Sequence, residues 1–300
     1  MSAAIRTVLG DIPPEQLGVC DAHDHLFLNS PMLPGQELDD AGAALAELDA
    51  FAALGGRAIA QWTPWGLGPR TAELPKLSRR CGVHIIAATG MHQAKHYDRA
   101  ELERVYDDLA GLFVSELTGG PVKAGMIKIA GAYHHLDEHA EYVLAAAAQA
   151  HHATGAPIGV HLEGGTAALE VLEALCERRG VAPGSVILGH LHRFPDVRIH
   201  RQVAEAGAFL AFDGPSRVHH GGDWRLLDSI AALADAGHAD RLLLGGDTVT
   251  PSARSTADGP GMPFLLHGLR PRIERELGVD IATAILVDNP ARAFAATWCR

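Results

Sequence analysis

Six residues scattered along the chain are of the types a metal centre needs: His23, His25, Lys128, His161, His190 and Asp247. Neutral imidazoles suit zinc and other borderline divalent cations, and a carboxylate adds charge and a proton acceptor. Histidine is abundant, 18 in 300 residues, and at that frequency about one H-x-H pair arises by chance. The pair His23/His25 therefore says little alone. Spacing says more. From His25 to Lys128 is 103 residues, then 33 to His161, 29 to His190 and 57 to Asp247. Read as three, one, one and two strand–helix units, each unit is roughly 28–34 residues, the size of a strand, a helix and two loops.

Each residue has a chemical reason to be there. Two apart on a strand, His23 and His25 point to the same face. Lys128 lies in Met126-Ile127-Lys128-Ile129, where an unpartnered charge is costly. Either it pairs with a carboxylate, or its amine is neutral. A neutral lysine amine takes up carbon dioxide as a carbamate, whose two oxygens can bridge two metals. His161 and His190 end the runs APIGVHL and SVILGH. Asp247 ends RLLLGGD, and a buried carboxylate there needs a metal or a strong donor. It can also accept a proton from metal-activated water. Four imidazoles, one potential carbamate and one carboxylate are too many for one catalytic zinc, which takes three protein ligands. They suit two divalent ions about 3.5–4 Å apart.

These residues must be carried by regular elements. Strand-like runs recur at 18–23, 57–62, 83–89, 124–130, 156–162, 185–190, 208–213 and 241–247. Helical segments at 41–55, 139–155, 166–180 and 223–237 lie between them, and three run into Gly155, Gly180 and Gly237, as helix C-termini favour. Alternating strands and helices imply a parallel sheet with helices outside, and near-continuous apolar strands fit burial on both faces. Eight repeats favour an α/β fold closed as a (β/α)8 TIM barrel over an open doubly wound sheet. The six residues then fall on the first, fourth, fifth, sixth and eighth strands, at the C-terminal mouth where barrel active sites form. No linker divides the chain, so a single barrel domain over residues 1–300 is expected. Two long loops, 214–223 and 248–263, are expected over the mouth.

Composition narrows the function. A net charge of −11 and the lack of a Lys/Arg run argue against nucleic acid or anionic membrane as partner. No run of 18 apolar residues is present, and the N-terminus lacks a signal-peptide pattern. Four widely spaced cysteines fit a reducing cytoplasm. The expected partner is a small-molecule substrate, with a homodimer as a further option through exposed helices.

The motifs around the six residues resemble the phosphotriesterase family of the amidohydrolase superfamily over nearly the whole chain. They are the H-x-H at 23–25, Gly55-Gly56 with Thr63 and Gly66–Gly68, Thr89-Gly90, KAGMIKIA around Lys128, TGAPIGVH to His161, ILGH to His190, FDG at 212–214, LLGGD to Asp247 and VDNPARAF at 287–294. The resemblance implies an amidohydrolase-type barrel and a metal-dependent hydrolase. It implies two metals, usually zinc, bridged by a carboxylated Lys128. His23, His25 and Asp247 would hold the inner metal, and His161 and His190 the outer. The chain departs from the family in Asp24 for a usual Glu, in Pro69-Arg70 for a usual Arg-Asp, and in His192 for a common Asp or Asn. His92 stands near a Tyr of the lactonase members, and Arg225 near an Arg.

The implied chemistry is hydrolysis of an ester-type bond, with Asp247 taking the proton. A lactonase or carboxylic-ester hydrolase is the leading expectation. A phosphotriesterase or phosphodiesterase is the alternative, and a non-catalytic metal-stabilised binding barrel is a third. Trp65, His92, Tyr133, Arg217, Arg225 and His267 are the expected substrate-pocket residues.

Overall fold

A computed structural model describes residues 3–215 and 223–299. A short antiparallel hairpin, β1 (Ile5–Thr7) and β2 (Gly10–Ile12), precedes the repeats. Eight strands follow: β3 (Cys20–Asp24), β4 (Ala58–Gln61), β5 (His84–Thr89), β6 (Met126–Ala130), β7 (Ile158–His161), β8 (Val186–Gly189), β9 (Phe209–Asp213) and β10 (Leu242–Gly245). They pair in chain order, each parallel to the next. This is the expected (β/α)8 barrel. Closure between β10 and β3 rests on close backbone approach: the Asp247 amide donates to His23 O at 2.8 Å. A Cβ on Gly245 would stand 2.6 Å from His23 Cβ, so the seam admits only glycine there.

The expected helices form at Ala41–Ala53, Glu138–Thr154, Ala168–Leu172 and Leu226–Asp235. The third runs on as a wider π turn, Glu173–Glu177. Gly155 caps its helix in the left-handed region at φ 81°, a conformation in which a Cβ is strained.

Alternation along the strands separates two apolar layers. Ile59, Ile85, Ile127, Ile129, Val160, Leu188, Leu210 and Leu244 face the helices. Cys20, Ala22, Ala58, Ala60, Ile86, Met126, Ile187, Ala211 and Leu243 fill the barrel interior. Lys128, His161, Asp213 and Asp247 share the inward parity. His23 and His190 do not, and each is turned inward by a local irregularity. The β3–β4 register shifts between Asp21 and Asp24, which lets His23 and His25 face inward although Ala22 also does. His190 follows β8 at φ 68° and Asp247 follows β10 at φ 51°. Left-handed backbone at non-glycine residues is uncommon and clusters at functional sites.

Candidate metal centre

Five of the six expected residues line one cavity of about 240 Å³ at the C-terminal mouth, and the sixth, His190, stands behind them with Nε2 2.8 Å from His161 Nδ1. Trp62, fully buried, supports His23; its indole N–H donates to Ala22 O at 2.8 Å and its ring stacks on His23 at 4.0 Å. A larger cleft of about 690 Å³ lies among residues of the hairpin, a helix and a loop, such as Arg6, Arg79 and Lys123. It contains none of the six and no convergent metal donors.

Hydrogen bonds fix which nitrogen of His23, His25 and His190 is free. The Thr63 hydroxyl donates to Phe27 O at 2.5 Å, so it must accept from His25 Nδ1, 2.7 Å away. The His25 proton is therefore on Nδ1, and Nε2 offers a lone pair. Asp213 does the same for two rings at once: Oδ1 accepts from His23 Nδ1 at 2.9 Å and Oδ2 from His190 Nδ1 at 2.5 Å. Such outer partners set tautomer and orientation in metal sites. Burial lowers His25 and His161 to about 4 and His190 well below its usual range, so these rings are neutral at pH 7.

The freed lone pairs converge. His23 Nε2 and His25 Nε2 stand 3.6 and 3.5 Å from Asp247 Oδ1. That is long for hydrogen bonds, but donors bound tetrahedrally at zinc–nitrogen distances sit about 3.3 Å apart. His190 Nε2 faces His161 Nδ1 at 2.8 Å, while His161 Nε2 points to Glu163 Oε2 at 3.4 Å. A hydrogen bond from His161 holds the Glu163 carboxyl down at about 2, opposed by burial. With the His161 proton on Nδ1 the two rings are hydrogen-bonded; with it on Nε2, toward Glu163, both rings offer lone pairs to a cation. The donor set thus fits metal at two adjacent positions.

Lys128 lies between them, 2 % exposed, with no hydrogen bond to its amine among the described residues. Burial lowers it to about 7, opposed by Asp247 and Glu163. Its backbone is packed so closely that a Cβ on Gly90 would stand 2.0 Å from Lys128 O. On Asp247, Oδ2 is bound by the Arg193 guanidinium, leaving Oδ1 to face the histidines. Burial pushes this carboxyl up, but His190 and Arg193 bring it well below the ordinary range.

Pocket expectations fare unevenly. His92 lines the cavity; its Nδ1 accepts from the Gln93 amide at 2.8 Å, so Nε2 carries the proton. Trp65 is turned to Tyr97, 6.1 Å between rings, and lies under Arg104. Its neighbours Pro64 and Leu67 reach the cavity instead. Tyr133 is 59 % exposed against His134. Arg225 stacks on Trp224 and pairs with Asp228. His267 is exposed against Phe264. These four are outside the cavity lining. Arg217 lies outside the described residues.

The loop after β10 also differs from expectation, since only Asp247 and Val249 of it reach the cavity. Beyond them it is fastened to the first helix and to Leu26. Buried Glu47 accepts from Ser255 N and Oγ and from Met262 N, and buried Arg254 donates to Leu26 O. Sequence reasoning missed Asp213, Thr63, Arg193, Glu163 and Trp62. Asp213 had a usable signal: like Asp247, it ends an apolar strand.

The sequence model of the phosphotriesterase family matches residues 3–294. A phospho-furanose lactonase of Mycoplasmopsis synoviae is 31% identical, over 97% of this chain and 91% of that protein. The crystal structure of a lactonase from Listeria monocytogenes superposes with a TM-score of 0.91 at 30% identity, covering 99% of this chain and 100% of the other. A phosphotriesterase homology protein of Escherichia coli, solved with phosphate in its active site, gives 0.87 at 25%, covering 93% and 99%. With a family match over nearly its full length and the family's donor residues gathered in one cavity, this chain belongs to the phosphotriesterase family.

Proposed function

We propose that the protein is a two-metal hydrolase of carboxylic-ester bonds, a lactonase. The observation that carries this is the convergence of the tautomer-fixed lone pairs of His23 and His25 on Asp247 Oδ1, with His190 Nε2 and the His161 ring side by side next to them. In this reading His23, His25 and Asp247 hold the inner cation, His161 and His190 the outer, and Lys128 both, as a carbamate. A nitrogen-rich donor set favours zinc. When bound, such cations supply Lewis acidity and a nucleophile from water at neutral pH.

The chain's own groups do the rest. Asp247 accepts the nucleophile's proton at Oδ2, the oxygen directed to Arg193. His92 presents Nε2–H to the cavity as a donor for a substrate oxygen. Leu28, Met32, Leu33, Leu67 and Val249 form an apolar wall that excludes water on one side. The relatives named as lactonases support a lactone over a phosphotriester. A cytoplasmic setting and one domain over residues 1–300 belong to the same reading, supported by four free cysteines. So does a small molecule as partner, with a homodimer as the assembly proposed and the net charge of −11 speaking against nucleic acid.

The test is kcat/KM across furanose lactones, with and without a phosphate, against an aryl phosphotriester. Lactones should be preferred by at least about tenfold. Preference for the phosphotriester overturns the substrate assignment. Asp247→Asn should fold normally and lose nearly all turnover; near-normal turnover at full metal content removes Asp247 from the proton-accepting role.

A further inference from the structure

We propose that Asp24, the residue between the two histidines of the H-x-H pair, is a positioning residue that sets where the Asp247 carboxylate stands. The inference rests on reading Asp247 as a cation donor.

Asp247 sits at the barrel seam, where β10 and β3 approach without a ladder, and it holds φ 51° without being glycine. Nothing in its own strand fixes that geometry. Three consecutive amides around it are instead held from β3. Gly246 N donates to Asp21 Oδ1 at 3.1 Å, Asp247 N to His23 O at 2.8 Å, and Thr248 N to Asp24 Oδ1 at 2.9 Å. Asp24 also accepts from the Thr248 hydroxyl at 3.2 Å and from the His25 amide at 2.7 Å. One fully buried carboxyl group thus grips the residue after Asp247 and the backbone of a histidine that faces Asp247 Oδ1. The register shift in β3 turns Asp21 and Asp24 away from the cavity and toward this seam. The fit is close: a Cβ on Gly246 would stand 2.2 Å from Asp24 Oδ2. Free of this grip, the Asp247 backbone can leave the left-handed region, and its carboxylate leaves the two Nε2 atoms with it.

The experiment compares Asp24→Ala, Asp24→Asn and Asp24→Glu as zinc-loaded full-length protein. Zinc per chain is measured after dialysis against a graded chelator, alongside kcat, KM and the melting temperature. Glu47→Gln serves as comparator, because it loosens the same loop farther along without touching the seam. Asp24→Ala should lose zinc at about 10–100-fold lower chelator strength and lose at least about tenfold in kcat, with KM within about threefold. Asp24→Glu should recover part of both. Asp24→Asn keeps one acceptor and should fall between; it carries the test if the alanine variant does not fold. Glu47→Gln should lower the melting temperature and leave zinc retention unchanged. Wild-type zinc retention and kcat in Asp24→Ala, or in Asp24→Asn if that is the variant that folds, overturn the proposal. So does a zinc loss in Glu47→Gln equal to that of Asp24→Ala at the same melting temperature. Zinc retention is read without substrate. A wild-type protein that keeps two zinc ions but hydrolyses no ester defeats the proposed function and still leaves Asp24 tested.

Discussion

Replacing Asp213 by Asn should disable the metal centre without touching a proposed metal donor. The carboxylate now accepts from two rings, His23 Nδ1 at 2.9 Å and His190 Nδ1 at 2.5 Å. Burial pushes its carboxyl up, but the imidazoles of His190 and His23 pull it net well below the usual range, so it is ionised throughout the working pH range. An amide offers one acceptor oxygen and one donor group. One ring keeps a bond, now neutral, losing about 1–1.5 kcal/mol of the charge-assisted value. The other meets N–H with N–H and loses about 1.5–3 kcal/mol, or flips its proton to Nε2 and withdraws its lone pair from the cavity. The sum, about 2.5–4.5 kcal/mol, is a factor of about 10²–10³. Equilibrium dialysis against a chelator, followed by elemental analysis, reads that factor as weakened metal retention. A lactone assay reads it as lost kcat/KM. Asp213→Asn with wild-type retention and kcat/KM within about threefold would refute the claim that this carboxylate fixes both tautomers.

Two further outcomes follow from the same geometry. Burial lowers Lys128 to about 7, so the neutral amine that can react with carbon dioxide becomes the major form as pH rises through that value. Reactivation of metal-free protein by zinc should therefore slow in carbon-dioxide-depleted buffer, recover with bicarbonate and quicken from pH 6 to 8. Reactivation indifferent to bicarbonate would remove the carbamate. His92→Phe should keep both metals by elemental analysis and lower kcat/KM by roughly 10–100-fold, the value of one hydrogen bond to a charged oxygen; an unchanged kcat/KM would place His92 outside the reaction.

The barrel was legible because each repeat carries its own signal. Runs such as VHIIAAT and SVILGH are short, apolar and followed by turn or helix chemistry, and their spacing alone orders them. The six cavity residues were legible because polar groups at the ends of such runs have few ways to be satisfied. Period-2 alternation gave the right side for Lys128, His161 and Asp247. For His23 it gave the right answer through an incomplete argument. Ala22 is packed in the barrel interior, so an unbroken strand would send His23 outward; the shift between Asp21 and Asp24 reverses the parity. That shift is set by hydrogen bonds to residues 246 and 248, more than 220 positions away, and no local pattern encodes it.

The pocket walls were least legible for a related reason. Alternation specifies sides only while a strand lasts, and the directions of Trp65, Tyr133 and Arg225 depend on turns beyond it. Composition was equally misleading for the segment after β10. Its glycines, prolines and serines suggest a loop over the mouth, yet buried Glu47 and Arg254 tie it to the Ala41–Ala53 helix and to Leu26. Polar groups buried this deeply are retained where their partners are satisfied. The loop is thus fixed at two separate places: the amides of residues 246–248 on Asp21, His23 and Asp24 hold the proposed proton acceptor against the histidines it faces, and the later ties to Glu47 and Leu26 settle only the segment beyond it.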